Sequence, residues 1–254
     1  MKKILALLLT GALILTASAC GKKEENETTT TAAESEGGKK TQVAFQAPEM
    51  EDTTAEAVEY LKDKVPLFSK YLETRMSIPL TFETEITSEK GTAFAGIYIR
   101  DDKTVCLSAT DETGASTRTV YVDNKLYYIV DDDKAIYSTD YSEEKCKEMV
   151  DAYLLKISID DAKACSYVSD YDYYGDTLYK HEIIYSAQSV GTHYFYDEAT
   201  DELKYVVTNT DESKILALNN EVTESAFEIP DGYTESDLNT YLENQVNNQA
   251  AAQQ

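Results

Sequence analysis

The two histidines of this 254-residue chain are its side chains best suited to bind a transition metal or to move a proton near neutral pH. His181 and His193 flank a predicted β-hairpin, so their rings are expected to lie near each other. A zinc site needs at least a third protein ligand, and no Cys/His spacing in the sequence supplies one. We therefore interpret both as ordinary strand histidines and predict no metal site.

The segment DYDYYGDTLYKH begins like a calcium-binding loop, because Asp170, Asp172 and Gly175 have the spacing of an EF-hand. Tyr174 occupies the fifth position, where an oxygen ligand belongs. His181 occupies the twelfth, where the motif requires a bidentate glutamate. The sequence therefore predicts no calcium site.

No nucleophile elbow, phosphate-binding loop or dinucleotide fingerprint is present. With 47 acidic residues, some carboxylates pair by chance, so pairing alone indicates no acid–base site. We expect a protein that is not an enzyme and has no cofactor. A hydrolase with an unrecognised site stays an alternative, although no nucleophile–base pair is visible.

Cys20 lies in the stretch ALILTASACGKKEE, between an apolar run and the first strongly charged segment. Lys2 and Lys3 precede the apolar residues 4–15, which are too few for a permanent membrane span of about 20 residues. This pattern is typical of a secretory signal with small residues at its cleavage site. One interpretation is an ordinary signal cut after Ala19, which leaves Cys20 as a free thiol.

The tetrad Ala17-Ser18-Ala19-Cys20 resembles the lipobox of bacterial lipoproteins, although that family usually has leucine at the first position. The resemblance implies a signal peptide over residues 1–19, cleavage between Ala19 and Cys20, and an S-diacylglyceryl, N-palmitoyl cysteine at Cys20. Two or more acyl chains anchor a protein stably, whereas one does not. We therefore expect a lipid-anchored protein on the extracytoplasmic face of the cell membrane, exposed at the cell surface.

Composition divides the remaining chain and limits its partners. Residues 20–51 are rich in Thr, Glu and Lys and poor in apolar residues, which predicts a disordered linker. Residues 52–246 are expected to form one domain, and residues 247–254 a disordered tail. The formal net charge of -24 argues against binding to nucleic acid or to anionic lipid head groups. We expect a monomer that contacts the membrane through its acyl anchor.

Three further cysteines, Cys106, Cys146 and Cys165, leave at least one thiol unpaired in an exported domain. Cys146 and Cys165 could pair around a helical segment, or all three could be buried free thiols. The sequence leaves both alternatives open.

The predicted elements run in the order helix, about six strands, helices, about five strands, helix. Thr53-Thr54-Ala55-Glu56 matches a capping box that opens the first helix, and Pro66 interrupts its apolar stripe. The strands are joined by short turns such as Asp123-Asn124, which predicts an antiparallel meander. The last helix is predicted over residues 235–246.

Many of these strands carry apolar side chains on both faces. In LYYIV, Leu126, Tyr128 and Val130 point one way, whereas Tyr127 and Ile129 point the other. A sheet with one face in water would alternate apolar and polar residues. The pattern therefore requires either a cover on each face or a cavity on one.

The segments VYVDNKLYYIVDDDKAIY, FYDEATDELKYV and FEIPDGY make the chain similar to the lipoprotein-carrier superfamily, which includes LolA, LolB, LppX and LprG. The resemblance implies an α+β fold: a large curved antiparallel sheet of about 11 strands, an unclosed half-barrel, with helices on its concave side. It also implies an apolar cavity for acyl chains. LolA proteins use an arginine within that cavity, and the sequence does not place it here, because Arg100 and Arg118 are both strand candidates with nothing to choose between them.

Two functions follow from this interpretation. The first is a membrane-anchored protein that binds or carries an apolar ligand in a sheet–helix cavity, the ligand being a lipid, a lipidated protein or a glycolipid. The alternative is a non-enzymatic surface module with a filled core, which binds a protein or glycan through some of its 20 tyrosines.

Overall fold

A computed structural model of the chain describes residues 52–186 and 191–251, and for residues 245–251 it describes the backbone alone. The predicted signal peptide, Cys20 and the predicted linker therefore lie outside the described residues. The α-helices are α1 (Thr54–Leu61), α2 (Pro66–Arg75), α3 (Glu143–Tyr153), α4 (Ile159–Ala164) and α5 (Leu238–Ala251), and a 3-10 turn spans Glu224–Phe227. The strands are β1 (Leu80–Ser88), β2 (Gly91–Asp101), β3 (Thr104–Thr110), β4 (Ser116–Val122), β5 (Lys125–Val130), β6 (Ala135–Asp140), β7 (Ser166–Tyr174), β8 (Thr177–Tyr185), β9 (Gly191–Tyr196), β10 (Leu203–Val207), β11 (Asp211–Asn219) and β12 (Thr234–Asp237).

The strands form one open, curved sheet in the order β12-β6-β5-β4-β3-β2-β1-β11-β10-β9-β8-β7. Two antiparallel meanders meet where β1 pairs with β11. The fold class predicted from the sequence is therefore confirmed. The Asp123-Asn124 turn is also confirmed: both residues have positive φ, 52° and 62°, as a tight two-residue hairpin requires.

A twelfth strand corrects the prediction for the C-terminal region. Residues 234–237 form β12, which pairs in parallel with β6 and makes the sheet mixed, whereas the helix was predicted to start at Glu235. Glu235 instead accepts a hydrogen bond from Ser138 across the strand pair, at 2.8 Å. The helix begins after Asp237, whose carboxylate accepts from the Thr240 backbone N–H at 2.8 Å. A short polar edge strand has no apolar pattern to reveal it, and α5 continues past the predicted end at residue 246.

The helices lie on one face because the chain must cross the sheet there. β6 lies beside one edge of the sheet and β7 forms the other, so the connection that carries α3 and α4 traverses this face. α1, α2 and α4 pack on β8, β9 and β10 in one apolar cluster. α3 packs on β1 to β4 in a second cluster.

The opposite face is covered over β3 to β6. Phe227, from the 3-10 turn, packs on Cys106, Val120, Ile129 and Ile136. Strand β5 thus buries side chains on both faces. Of the two alternatives that its sequence allowed, a cover on each face or a cavity on one, it has the cover on each face. Cys106 and Cys146 are free and buried, so the pairing of Cys146 with Cys165 is not formed.

The start of α1 differs from the predicted capping box. Thr53 makes no side-chain cap to its own helix. Its hydroxyl instead accepts from the Ile159 backbone N–H at 3.0 Å, and the Thr54 hydroxyl accepts from the Ile157 N–H at 3.3 Å. The two threonines therefore tie α1 to the start of α4. The predicted break at Pro66 is confirmed, because Pro66 opens α2.

Candidate functional site

A cleft of about 450 Å³ opens between α2 and the adjoining strands β10 and β11. Its lining combines apolar side chains on the floor with charged ones around the mouth: Leu67, Lys70, Tyr71, Thr74, Tyr196, Asp201, Glu202, Leu203, Lys204, Ile215, Leu216, Ala217, Leu218 and Asn219. Leu216 is 46% exposed, so part of the apolar lining is already in contact with water. Such a lining suits a ligand with an apolar part and a polar part. The two apolar clusters pack the helices against the sheet beside this cleft.

Glu182 of β8 holds the first turn of α2, the helix that forms one wall of the cleft. Its carboxylate accepts from the backbone N–H groups of Leu67 and Phe68, at 3.0 and 2.6 Å. These groups lie in the first turn of α2, whose N-cap residue Val65 supplies no side-chain cap. Burial raises the pKa of Glu182, and the two backbone hydrogen bonds oppose part of that rise. A strand carboxylate therefore caps a helix more than one hundred residues away in sequence and docks it on the sheet.

An ionic bridge crosses the mouth of the cleft. Asp201, in the turn before β10, lies 2.6 Å from the Lys180 ammonium and 3.5 Å from that of Lys70 on α2. Asp201 has a φ of 62°, a conformation that aspartate tolerates better than most residues. The bridge is partly exposed, most of all at Lys70, so it is expected to add little to stability.

Arg75, at the end of α2, is the buried arginine of this face. Its side chain is 2% exposed, and its guanidinium carbon lies 4.1 Å from the centre of the Phe82 ring. Arg100 and Arg118, the two candidates from the sequence, lie instead on the opposite face. Arg100 pairs with Glu224 and stacks on the Phe227 ring, and Arg118 donates to the Glu228 carbonyl at 3.2 Å. Neither of the two strand arginines therefore lies in the sheet–helix space.

The two histidines do lie together, on the face opposite the helices. His181 Nε2 is 3.0 Å from His193 Nδ1, and His181 Nδ1 is 3.0 Å from a carboxylate oxygen of Asp170. His181 also stacks on Phe195, with ring centres 4.5 Å apart. Burial and the neighbouring His181 lower the pKa of His193. The two rings are therefore hydrogen-bonded to each other within the sheet.

Within residues 52–186 and 191–251, no group of three or more His, Cys, Asp or Glu side chains could hold a metal ion. Asp170 and Asp172 lie in strand β7 rather than in a calcium-binding loop. No helix in the described part of the chain is long and apolar enough to cross a membrane.

The sequence predictions did not include Arg75 or Glu182, although the position of each residue in its helix or strand indicates that it is buried. Arg75 follows Leu72 by three residues and so falls on the apolar stripe of its helix. Glu182 precedes Ile184 by two residues and so shares its buried strand face. A charged residue in an apolar register predicts a buried charge with a specific role.

No protein-family model matches the chain, and no curated protein matches it. Among solved structures, an uncharacterized conserved protein from Thermus thermophilus aligns with 67% of this chain and 99% of its own, with 6% identity and a TM-score of 0.37. The protein MucB aligns with 68% of this chain and 64% of its own, with 10% identity and a TM-score of 0.41.

The Pseudomonas aeruginosa MucA/MucB complex gives a similar alignment: 69% of this chain, 61% of the matched chain, 12% identity and a TM-score of 0.39. Our chain therefore spans less than two thirds of the MucB chains. TM-scores at this level describe a loose likeness and identify neither a family nor a function. The open sheet with helices on one face agrees with the resemblance to lipoprotein carriers, and membership of that superfamily stays a prediction.

Proposed function

We propose that this protein is a membrane-tethered, extracytoplasmic binding protein for an amphiphile that carries an acyl chain. The observation behind this proposal is the cleft between α2 and strands β10 and β11. Its volume of about 450 Å³ falls in the range of roughly 300–1,000 Å³ typical of small-molecule sites. Each methylene group that leaves water in such a cleft contributes about 0.8 kcal/mol to binding.

The lining supports an amphiphile over a fully apolar ligand. Leu67, Ile215 and Leu218 supply apolar surface, whereas Lys70, Asp201, Glu202 and Lys204 supply charged groups of both signs that pair with one another. The apolar surface suits an acyl chain, and the polar part of the lining suits the rest of an amphiphile.

Binding can be tested by native mass spectrometry after the mature chain with Cys20→Ser is incubated with palmitate or a lysophospholipid. We expect a one-to-one complex, weakened at least tenfold by Leu216→Glu because a carboxylate then lies in the lining. Phe94→Glu is the matched control, since Phe94 is 42% exposed on a strand but does not line the cleft. A wild-type chain that never retains an acyl ligand contradicts the proposal.

The tether is proposed at Cys20, from the lipobox-like sequence alone. A lipid-anchored protein would partition with membranes and release a diacylglyceryl-modified N-terminal peptide on proteolysis. The Cys20→Ser variant should appear in the soluble fraction. Membrane retention of that variant, or an unmodified Cys20 in the mature protein, contradicts the tether.

A second function is favoured by the outer strand β7. Tyr171 and Tyr173 are 57% and 66% exposed there, and β7 is an edge strand of the described sheet, where it pairs with β8. Exposed tyrosines on a free edge suit a protein or glycan partner. Loss of partner binding in a Tyr171→Ala, Tyr173→Ala variant that still retains lipid would assign the two functions to different surfaces.

A further inference from the structure

Arg75 is a buried cation without a balancing anion. Among the described residues, no carboxylate lies within ion-pair distance of its guanidinium, although it is 2% exposed. Within the described residues, its Nε and Nη1 atoms have no hydrogen-bond acceptor. Its Nη2 atom lies 3.5 Å from the Tyr153 carbonyl oxygen.

This arrangement is unfavourable unless another group completes it. The guanidinium group carries a positive charge that water no longer solvates once it is buried, so contacts have to compensate it. Buried charges in proteins are normally paired, and buried donors normally have acceptors. The Phe82 ring offers partial compensation through its π face but accepts none of the free N–H groups.

Two residues that line the cleft are neighbours of this cation. Tyr71 lines the cleft, and Arg75 follows it one helical turn later, close enough to offset part of the pKa rise that burial causes at Tyr71. On the sheet side, Leu218 lines the cleft and pairs with Phe82, the residue on which Arg75 stacks. Tyr71 and Phe82 therefore both contact the surroundings of the guanidinium, and Tyr71 belongs to the lining of the cleft as well.

We propose that Arg75 receives the oxyanion head group of the bound amphiphile, which enters head first past Tyr71 and leaves its acyl chain along the cleft. The inference rests on the proposed function. A carboxylate or a phosphate would neutralise the cation and accept from its free N–H groups. The turn of the Tyr71 ring needed for entry would join the cleft to the space beside Arg75.

The test compares ligands that differ only in the head group. The mature chain with Cys20→Ser is titrated at pH 8 with palmitate, hexadecyl phosphate and methyl palmitate, and binding is followed by native mass spectrometry and calorimetry. We expect the wild-type arginine to favour at least one of the two anions over the ester by tenfold or more. Which anion binds tighter distinguishes a fatty acid from a phosphate ligand.

Arg75→Met should bind the ester as well as before and lose the preference for the anions. Arg75→Lys should keep part of it, because the charge remains. Arg100→Met is the matched control, since Arg100 lies on the opposite face and pairs with Glu224; it should keep the full preference. Replacing a buried charge with an apolar side chain of similar volume is often tolerated, and thermal melting checks that each variant folds.

The outcomes separate the two proposals. Equal binding of acid, phosphate and ester by the wild-type chain overturns the role of Arg75 and leaves the binding function standing. An undiminished preference in Arg75→Met overturns it as well. If that variant does not fold, the Arg75→Lys series and the wild-type ligand comparison decide the question. Failure of every ligand to bind the wild-type chain overturns both proposals.

Discussion

The two halves of the sheet are covered in different ways. Over β3 to β6, side chains are buried on both faces, by α3 and α5 on one and by the segment around Phe227 on the other. Over β8 to β11, the helices α1, α2 and α4 cover one face, and the cleft opens beside α2. The first half is closed by apolar packing. The second is also packed by an apolar cluster, but it adds directional polar contacts from Glu182, Thr53 and Thr54, and the cleft opens there.

The strongest test of this contrast removes the cover of the doubly packed half. Phe227→Ala should lower the free energy of unfolding by about 3–5 kcal/mol, because it deletes a buried ring and leaves a cavity over Cys106 and Ile129. Urea denaturation measures the effect, and Phe94→Ala, at an exposed position, serves as control. A loss below about 1 kcal/mol would mean that this cover is dispensable.

The second test compares a helix cap in each half. Glu182→Ala leaves two backbone donors of α2 without an acceptor and should cost about 2–3 kcal/mol. Ser142→Ala removes the local cap of α3, which accepts from Lys145 N at 3.3 Å, and should cost about 1 kcal/mol. Both losses are measured by urea denaturation. Equal losses would show that the long-range cap is no more important than the local one.

A pH series isolates the charge of Glu182. Burial raises the pKa of the Glu182 carboxyl in the folded chain above its value in the unfolded chain. The stability that this shift contributes is fully present at pH values below the unfolded-chain pKa, and it is lost as the pH rises through the folded-chain pKa. Glu182→Gln cannot titrate. The stability of the wild type relative to this variant should therefore fall as pH rises above the unfolded value of about 4.3, and a constant difference contradicts the prediction.

The smallest effect is expected at the mouth of the cleft. Asp201→Asn removes the ionic bridge to Lys70 and Lys180 but keeps a residue that tolerates the positive φ. Exposed ion pairs contribute little to stability, so the melting temperature should not change measurably. A clear drop would show that the bridge helps to hold α2, as Glu182 does.

Local signals made the sheet predictable. Turn residues such as Asp123 and Asn124 join neighbouring strands within a few residues, so the pairing of successive strands within each meander could be predicted from the sequence. The cleft could not, because its parts are distant in sequence. Glu182 caps a helix 115 residues before it, and no local pattern encodes such a pairing. The polar strand β12 was missed for the same reason, since its partner β6 precedes it by about one hundred residues.

The central position of β1 has a consequence for how the chain is made. β1 is the first strand to be synthesised, and its partner β2 follows directly. Its other partner, β11, follows more than one hundred residues later. A nascent chain therefore carries one unpaired edge of β1 until β11 has been synthesised. Any product terminated before residue 211 would keep that edge open and would be prone to self-association.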